Sequence, residues 1–266
     1  MEAKENLKNQ YALITGASQG LGKAFAYTLA KQGVNIILVS LPGQNVKSLA
    51  KNLSNEYSIE TQCYETNFQS DSNVEKLCKW LNENFSIFIL INNAGIGGTR
   101  KFSEVSTSYI DTIIQVNIKA TSLITHRLLP NLMKQRKGYI LNVSSIAAFS
   151  PVGYKTVYPA SKSFIHFFSL GLSEELKDTN ISVSVINPGA MKTNEEITSR
   201  IEKQGLLGRL TLLDPKKVAQ LSLKKMFKGK KVIMLNPLSW AISIVLPTRL
   251  KVSMMTRIIK RELTVG

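Results

Sequence analysis

The sequence predicts an α/β fold: a single doubly wound parallel sheet with helices on both faces, a helical cap and a C-terminal extension. Two observations predict it. Short apolar runs alternate with longer amphipathic stretches almost throughout the chain, the pattern of repeated strand–helix–strand units and hence of a parallel sheet covered on both sides. The chain has 266 residues, 44% of them hydrophobic, which suits one large globular domain rather than a disordered or polytopic chain. No internal repeat, low-complexity block or linker divides it, so one domain over residues 1–266 is expected.

The elements follow in order. Residues 11–15 are a short apolar run closed by Gly16, read as the first strand, and residues 21–31 read as a helix ending at Gly33. A strand at 34–40, a helix at 46–56, an extended segment at 58–64, a helix at 74–84 and a buried strand at 87–92 come next. Residues 108–133 are one long amphipathic stretch, 138–143 a strand, 157–177 a helix and 181–187 a strand ending at Pro188-Gly189. Beyond Thr193 the pattern changes. Residues 194–213 are polar and glycine-punctuated with a helical middle, the place of a cap, while 215–227 read as helix and 231–235 as a last strand. Residues 237–250 are mostly apolar and open a C-terminal extension at about 237–266. That run falls short of the roughly 20 residues that span a bilayer, and Pro247 interrupts it, so a spanning helix is not expected.

The formal charge is +16, and from Asp214 onward twelve Lys or Arg stand against two acids, Asp214 and Glu262, giving +10 of that total. The excess is local, surrounds apolar runs and comes with no nucleic-acid-binding motif, so no nucleic-acid partner is expected. A solvated basic face and peripheral contact with an anionic membrane are the two readings of it. Cys63 and Cys78 lie in unrelated segments without metal-ligand spacing and read as free thiols in a reducing compartment, with no metal site. The polar, charged start of the chain is no signal peptide. A cytoplasmic location is expected, peripheral to the membrane if the basic extension docks there.

Thr15-Gly16-Ala17-Ser18-Gln19-Gly20-Leu21-Gly22 joins the first strand to the first helix. Glycines here let the backbone turn sharply and approach a pyrophosphate with no Cβ in the way. The helix that follows presents unpaired N–H groups and the positive end of its dipole. Gly16, Ser18, Gly20, Leu21 and Gly22 are therefore candidate contacts for a dinucleotide. An acid ending the second strand would bond both ribose hydroxyls and repel a 2′-phosphate. Residues 39–45 contain no acid, and Ser40 and Lys47 are weak contacts there, so NADP(H) is favoured with NAD(H) as the alternative.

Tyr158-Pro159-Ala160-Ser161-Lys162 sets a tyrosine and a lysine at i and i+4 of a helix, on one face. A phenol is a poor acid–base group at neutral pH, and a nearby ammonium or an oxidised nicotinamide favours its phenolate. Upstream, Ser145 stands at the end of the 138–143 strand, where an open parallel sheet binds ligands, with its neighbour Ser144 as the competing hydroxyl. Asn92-Asn93-Ala94-Gly95 closes the fourth strand, where small residues let a nucleotide lie against the backbone; Asn93, Ala94 and Gly95 are the candidates. Asn117 interrupts an otherwise apolar helix face, which a buried amide tolerates only with partners. Pro188, Gly189, Met191 and Thr193 follow the 181–187 strand and offer backbone and hydroxyl groups to a carboxamide.

From about Tyr11 to Thr193 these motifs, in this order and spacing, resemble those of the classical short-chain dehydrogenase/reductases, whose sheet is of the Rossmann type. The resemblance implies hydride transfer between a nicotinamide dinucleotide and a ketone or secondary alcohol. It implies a catalytic tetrad of Asn117, Ser145, Tyr158 and Lys162, the family's serine–tyrosine spacing selecting Ser145 over Ser144. It also implies that Lys162 binds the nicotinamide ribose and that Asn117 holds a water connecting Lys162 to solvent. Asn67 and Phe68 are placed beside the adenine, where the family usually has Asp and this chain has a neutral amide. Gln19 departs from many NADP-using members, which carry a basic residue there. Homodimers or homotetramers are expected because the family often forms them.

The expected pocket wall of Phe149, Pro151, Val152, Tyr154 and Met191, with Leu206, Leu207 and Leu210 from the cap, is apolar and lacks an evident carboxylate anchor. It predicts a small apolar carbonyl or alcohol substrate, acyl, lipid-like or steroid-like. Stretches 33–40 and 51–64 are similar to long-chain 3-oxoacyl-CoA reductases and hydroxysteroid dehydrogenases. The alternatives are a catalytically idle Rossmann binding protein, against which the intact Tyr158 and Lys162 speak, and a membrane-docked scaffold.

Overall fold

The computed structural model describes residues 10–189, 191, 213–235 and 247–264. Seven strands form one sheet: β1 (Gln10–Thr15), β2 (Asn35–Ser40), β3 (Thr61–Glu65), β4 (Ser86–Asn92), β5 (Gly138–Val143), β6 (Ile181–Ile186) and β7 (Val232–Ile233). Their spatial order is 3-2-1-4-5-6-7 and every neighbouring pair is parallel. The order reverses between β1 and β4, so the loops leaving these two strands diverge and open a crevice at their C-terminal ends.

Helices make the crossovers. They are α1 (Gly20–Ala30), α2 (Val46–Tyr57), α3 (Asp71–Asn84), a long composite α4 (Thr107–Met133), α5 (Val157–Glu175), α6 (Pro215–Phe227) and α7 (Thr248–Thr264). The inner strands β1, β2, β4, β5 and β6 are buried from both sides, and alternate residues serve opposite faces. Ala12 and Ile14 of β1 join Phe25 and Leu29 of α1, Leu53 of α2 and Met226 of α6 in one core. Tyr11 and Leu13 join Leu77 of α3 and Ile124, Leu128 and Leu132 of α4 in the other.

Several boundaries move for identifiable reasons. The α3 helix starts at Asp71 rather than 74, with an acid in its first turn where the helix dipole favours one. Ser58 adopts a left-handed conformation (φ 53°) that ends α2, so β3 begins only at Thr61. The stretch expected as one amphipathic helix is Thr107–Ile113, a π-helical segment Ile114–Ala120 and Thr121–Met133 run together as α4. Its start is capped by the Ser106 hydroxyl, which accepts the Tyr109 N–H at 3.2 Å. The last strand is shorter than expected, Val232–Ile233. The α7 helix follows Pro247, which suits a helix start because the N–H that proline lacks would have no acceptor there in any case. Thr193, the expected cap residues Leu206, Leu207 and Leu210, and most of the apolar run 237–250 lie outside the described residues. Among the described residues no helix is long and apolar enough to cross a membrane.

Asn131, near the end of α4, ties that helix to β4. Its Oδ1 accepts the Ile87 N–H at 2.9 Å and its Nδ2 donates to the Phe85 carbonyl at 2.9 Å. Asn131→Ala would leave the buried Ile87 N–H without an acceptor and should cost about 1–3 kcal/mol. The urea midpoint measures this, and an unchanged midpoint would show that β4 does not depend on the tie.

Candidate active site

The turn after β1 and the turn after β4 are fastened together across the crevice. The Thr15 hydroxyl accepts the N–H groups of Asn93 and Ala94, both at 3.0 Å. The Asn93 amide donates to the carbonyls of Thr15 (2.9 Å) and Gly16 (3.0 Å). Gly16 and Gly20 are left-handed, with φ of 64° and 53°, a conformation glycine adopts without steric cost. A Cβ on Gly22 would lie 2.1 Å from the Gly16 carbonyl oxygen, so α1 can begin against this turn only with glycine there. Gln19 provides no side-chain cap for the first-turn amides of α1, which leaves them to an anion. The turn therefore fits a pyrophosphate. Asn93 stands at the end of β4, but both its side chain and its backbone N–H are used to join the two turns. The Ser18 hydroxyl donates to Oε1 of Gln44 and so faces the loop after β2.

That loop has no acid of its own, but the next strand brings one beside it. Glu65 ends β3, opposite Ser40 in the parallel register. Its carboxylate accepts the Gly43 N–H at 3.2 Å and lies 3.9 Å from the Lys47 ammonium. Sequence reasoning that examined residues 39–45 alone missed it; the available signal was that β2 and β3, as neighbours in a parallel sheet, end together. Ser40 is buried and its hydroxyl donates to the Leu41 carbonyl at 3.0 Å. Asn67 accepts the Gln69 N–H at 3.0 Å in a local turn. Phe68 packs into the core on the α3 side, so its backbone rather than its ring is left for an adenine.

The expected tetrad converges at the ends of β4 and β5. Lys162 is buried and its Nζ donates to the Val143 carbonyl at 2.9 Å. Gly95 faces it, since a Cβ there would lie 3.2 Å from Lys162 Nζ and 3.4 Å from Asn117 Oδ1. Asn117 sits in the π-helical segment, a local widening that recurs at functional sites. Its Oδ1 accepts the Ile96 N–H (2.8 Å), and its Nδ2 donates to the Ile96 carbonyl (2.9 Å) and to the Ser161 hydroxyl (2.9 Å). Ser161 in turn donates to the Tyr158 carbonyl at 2.7 Å. The buried amide thus has its partners, and through Ser161, which sequence reasoning did not single out, it fixes the backbone of Tyr158.

The two serines are separated by their bonds. Ser144 is buried and donates to the Lys162 carbonyl at 2.7 Å, holding α5 to β5. Ser145 is half-buried, accepts the Ala147 N–H at 3.1 Å and lies beside the Tyr158 phenol, whose ionised form it favours. The Tyr158 ring lies on Gly97, where a Cβ would come within 2.8 Å of it. Burial pushes the Tyr158 phenol above its usual 10, and Ser145 opposes that shift. Burial also brings the Lys162 ammonium down to about 8. In the protein without dinucleotide the influence opposing burial is Ser145. The ammonium bonds the Val143 carbonyl and lies 5.9 Å from the Tyr158 ring centroid. The turn after β6 joins the site through Pro188, whose carbonyl accepts the Ile146 N–H at 3.0 Å. Met191 pairs with Leu213 in an isolated parallel bridge.

Known proteins are similar to this chain in sequence and fold. The profile of the short chain dehydrogenase family matches residues 10–204. The chain is 33% identical over 194 residues to hydroxysteroid dehydrogenase-like protein 1 of Gallus gallus, covering 72% of this chain and 59% of that protein's length. It is 31% identical over 230 residues to the 3-oxoacyl acyl-carrier-protein reductase FabG of Aquifex aeolicus, covering 84% of this chain and 91% of the relative. The NADPH complex of a short-chain dehydrogenase from Sphingobium yanoikuyae superposes with a TM-score of 0.78 at 27% identity, covering 88% of this chain and 90% of that one. Fold and site define an oxidoreductase of the CH–OH/C=O class with a nicotinamide-dinucleotide fold. The chain belongs to the short-chain dehydrogenase/reductase family.

Lys162 generates a prediction with a definite sign. Its folded pKa of about 8 lies below the ordinary 10.5, so the ammonium disfavours folding below about pH 8, and that penalty is relieved as pH rises towards 10.5. Lys162→Met should therefore raise the melting temperature at pH 7, with the advantage shrinking by pH 9.5. An advantage that does not change with pH would show that the ammonium carries no such penalty.

Proposed function

We propose that the protein is an NADPH-dependent reductase of apolar ketones in which Tyr158 delivers the proton. The observation that carries this reading is the convergence of three groups at one strand end: the Tyr158 phenol, the Ser145 hydroxyl beside it, and the buried Lys162 ammonium one helical turn on. The dinucleotide would be held by the turn containing Gly16, Ser18, Gly20, Leu21 and Gly22, by Ser40, by Asn67 and the backbone of Phe68, and by Ala94 and Gly95. Pro188, Gly189 and Met191, with Thr193 by its place in the sequence motif, would complete the nicotinamide side. The bound nicotinamide supplies the hydride. Ser145 holds the carbonyl oxygen and stabilises the charge that develops on it. Tyr158 gives that oxygen its proton from Oη. Lys162 then favours the phenolate left behind and bonds the ribose. Asn117 keeps Ile96 and Ser161 in register and holds the water that connects Lys162 to solvent.

The loop of residues 39–45 without an acid supports NADPH, and Glu65 is the observation favouring NADH. Its carboxylate is partly answered by the Gly43 N–H and by Lys47. The apolar Pro151, Val152 and Met191 support an acyl, lipid-like or steroid-like ketone, in keeping with relatives named for 3-oxoacyl and hydroxysteroid substrates. Homo-oligomer formation is supported by α5, which exposes Phe164 and Phe167, the latter to 65%. Peripheral contact with anionic membrane is supported by α7, where exposed Leu250 and Met254 stand beside Arg249 and Arg257. The protein would act in the cytoplasm as one catalytic domain.

Turnover of a ketone panel, read at the nicotinamide absorbance, tests the reaction. Tyr158→Phe should lower turnover about 100- to 10,000-fold while leaving NADPH binding near wild type, and near-normal turnover would overturn the mechanism. For the cofactor, fluorescence titration should give tighter binding of NADPH than NADH, and Glu65→Gln should widen the difference by removing like-charge repulsion with the 2′-phosphate. An NADH preference that Glu65→Gln leaves intact would overturn the cofactor assignment.

A further inference from the structure

The loop that runs from Ser145 to Tyr158 is gripped from outside the sheet by α7. Lys251 is buried, 7% exposed, although Arg249 and Leu250 just before it are exposed. Its Nζ donates to the Phe149 carbonyl at 2.9 Å. Four residues further along the loop, the Gly153 N–H donates to the Thr256 hydroxyl at 2.9 Å. The two chains touch there: a Cβ on Gly153 would lie 2.6 Å from the Thr256 methyl carbon. Ile259, one turn beyond Thr256, is buried as well. Between the two grip points lie Pro151 and Val152, the residues read from the sequence as pocket wall.

Other ties hold the ends of the loop. The Ser163 hydroxyl donates to the Ala148 carbonyl (2.6 Å), and the Arg100 N–H donates to the Tyr154 carbonyl (2.7 Å). The Phe149 ring rests edge-on against His166 of α5, 4.7 Å between centroids. Tyr154 itself is left-handed, with φ of 65°. A non-glycine residue keeps that conformation only where its surroundings over-determine it. The grip on Gly153 and the Arg100 bond flank Tyr154 from both sides. A buried lysine is a costly way to anchor a loop that apolar contacts could hold, because its ammonium must leave water. The donor reaching Phe149 gives a directional constraint that packing does not.

We propose that Lys251 and Thr256 are positioning residues: acting through Phe149 and Gly153, they fix the pocket-wall loop and so set how bulky a ketone the site accepts. This rests on the reductase reading above and extends it to selectivity. Neither side chain contacts the tetrad in this role; both act by holding the loop that joins Ser145 to Tyr158.

The test uses the full-length protein with Lys251→Met, Thr256→Val and the conservative Thr256→Ser. Hydrogen–deuterium exchange of the peptide covering 149–154 needs no substrate. Both disruptive variants should speed its exchange about 2- to 10-fold, the range of one net hydrogen bond, and Thr256→Ser should restore it, with peptides of β1 and α1 unchanged. Kinetics with NADPH and the probes acetophenone and benzophenone should show a raised KM for the bulky ketone relative to the small one, with kcat and NADPH affinity near wild type. Unchanged loop exchange in both disruptive variants overturns the grip. Faster exchange with the same ratio of KM values overturns its part in selectivity. If the wild type turns over neither ketone, the exchange result still decides the grip, and the reductase reading fails separately.

Discussion

Burying the Lys162 ammonium beneath the ends of β4 and β5 sets the terms for the structure around it. An ammonium out of water needs acceptors and close-fitting neighbours. The Val143 carbonyl, left over where β5 ends, accepts from it. Gly95 leaves room for it, as any Cβ there would press on both Nζ and the Asn117 amide. Ser144 holds the backbone of Lys162 itself, and Asn117 holds Ile96 on the other side. The strand ends, the π-helical segment of α4 and the first turns of α5 all fit around one charged atom.

The electrostatics that result favour a proton donor. In water a lysine and a tyrosine titrate close together. In this site burial moves them apart, the ammonium down to about 8 and the phenol above 10. Tyr158 therefore keeps its proton through the neutral range, oriented by Ser145, as an acid in the reduction direction must. Accepting a proton in the reverse direction requires additional positive charge nearby, which an oxidised nicotinamide carries.

Much of this was legible in the chain because the features are local. The strand at 138–143, the glycine turn after β1 and the i, i+4 placement of Tyr158 and Lys162 depend on neighbours within a few residues. What escaped is set by long-range pairing. The family's spacing singles out Ser145, but only the packing of α5 shows that Ser144 holds the Lys162 backbone. Glu65 reaches the β2 loop through the register of two strands. Asn93 fastens β1 to β4 across 77 residues or more. The α7 helix meets the pocket loop 102 and 103 residues away in sequence, and a basic, partly apolar stretch does not reveal what its inner face touches.

The central physical point is that Tyr158 is a phenol held protonated by burial until positive charge arrives. Ultraviolet difference titration of the phenolate, wild type minus Tyr158→Phe, with and without NADP+, tests it most directly. Tyr158 should ionise above 10 in the free protein, move towards neutral pH with NADP+ bound, and lose much of that movement in Lys162→Met. Ionisation near neutral pH in the free protein, or a titration that NADP+ leaves where it was, would contradict it.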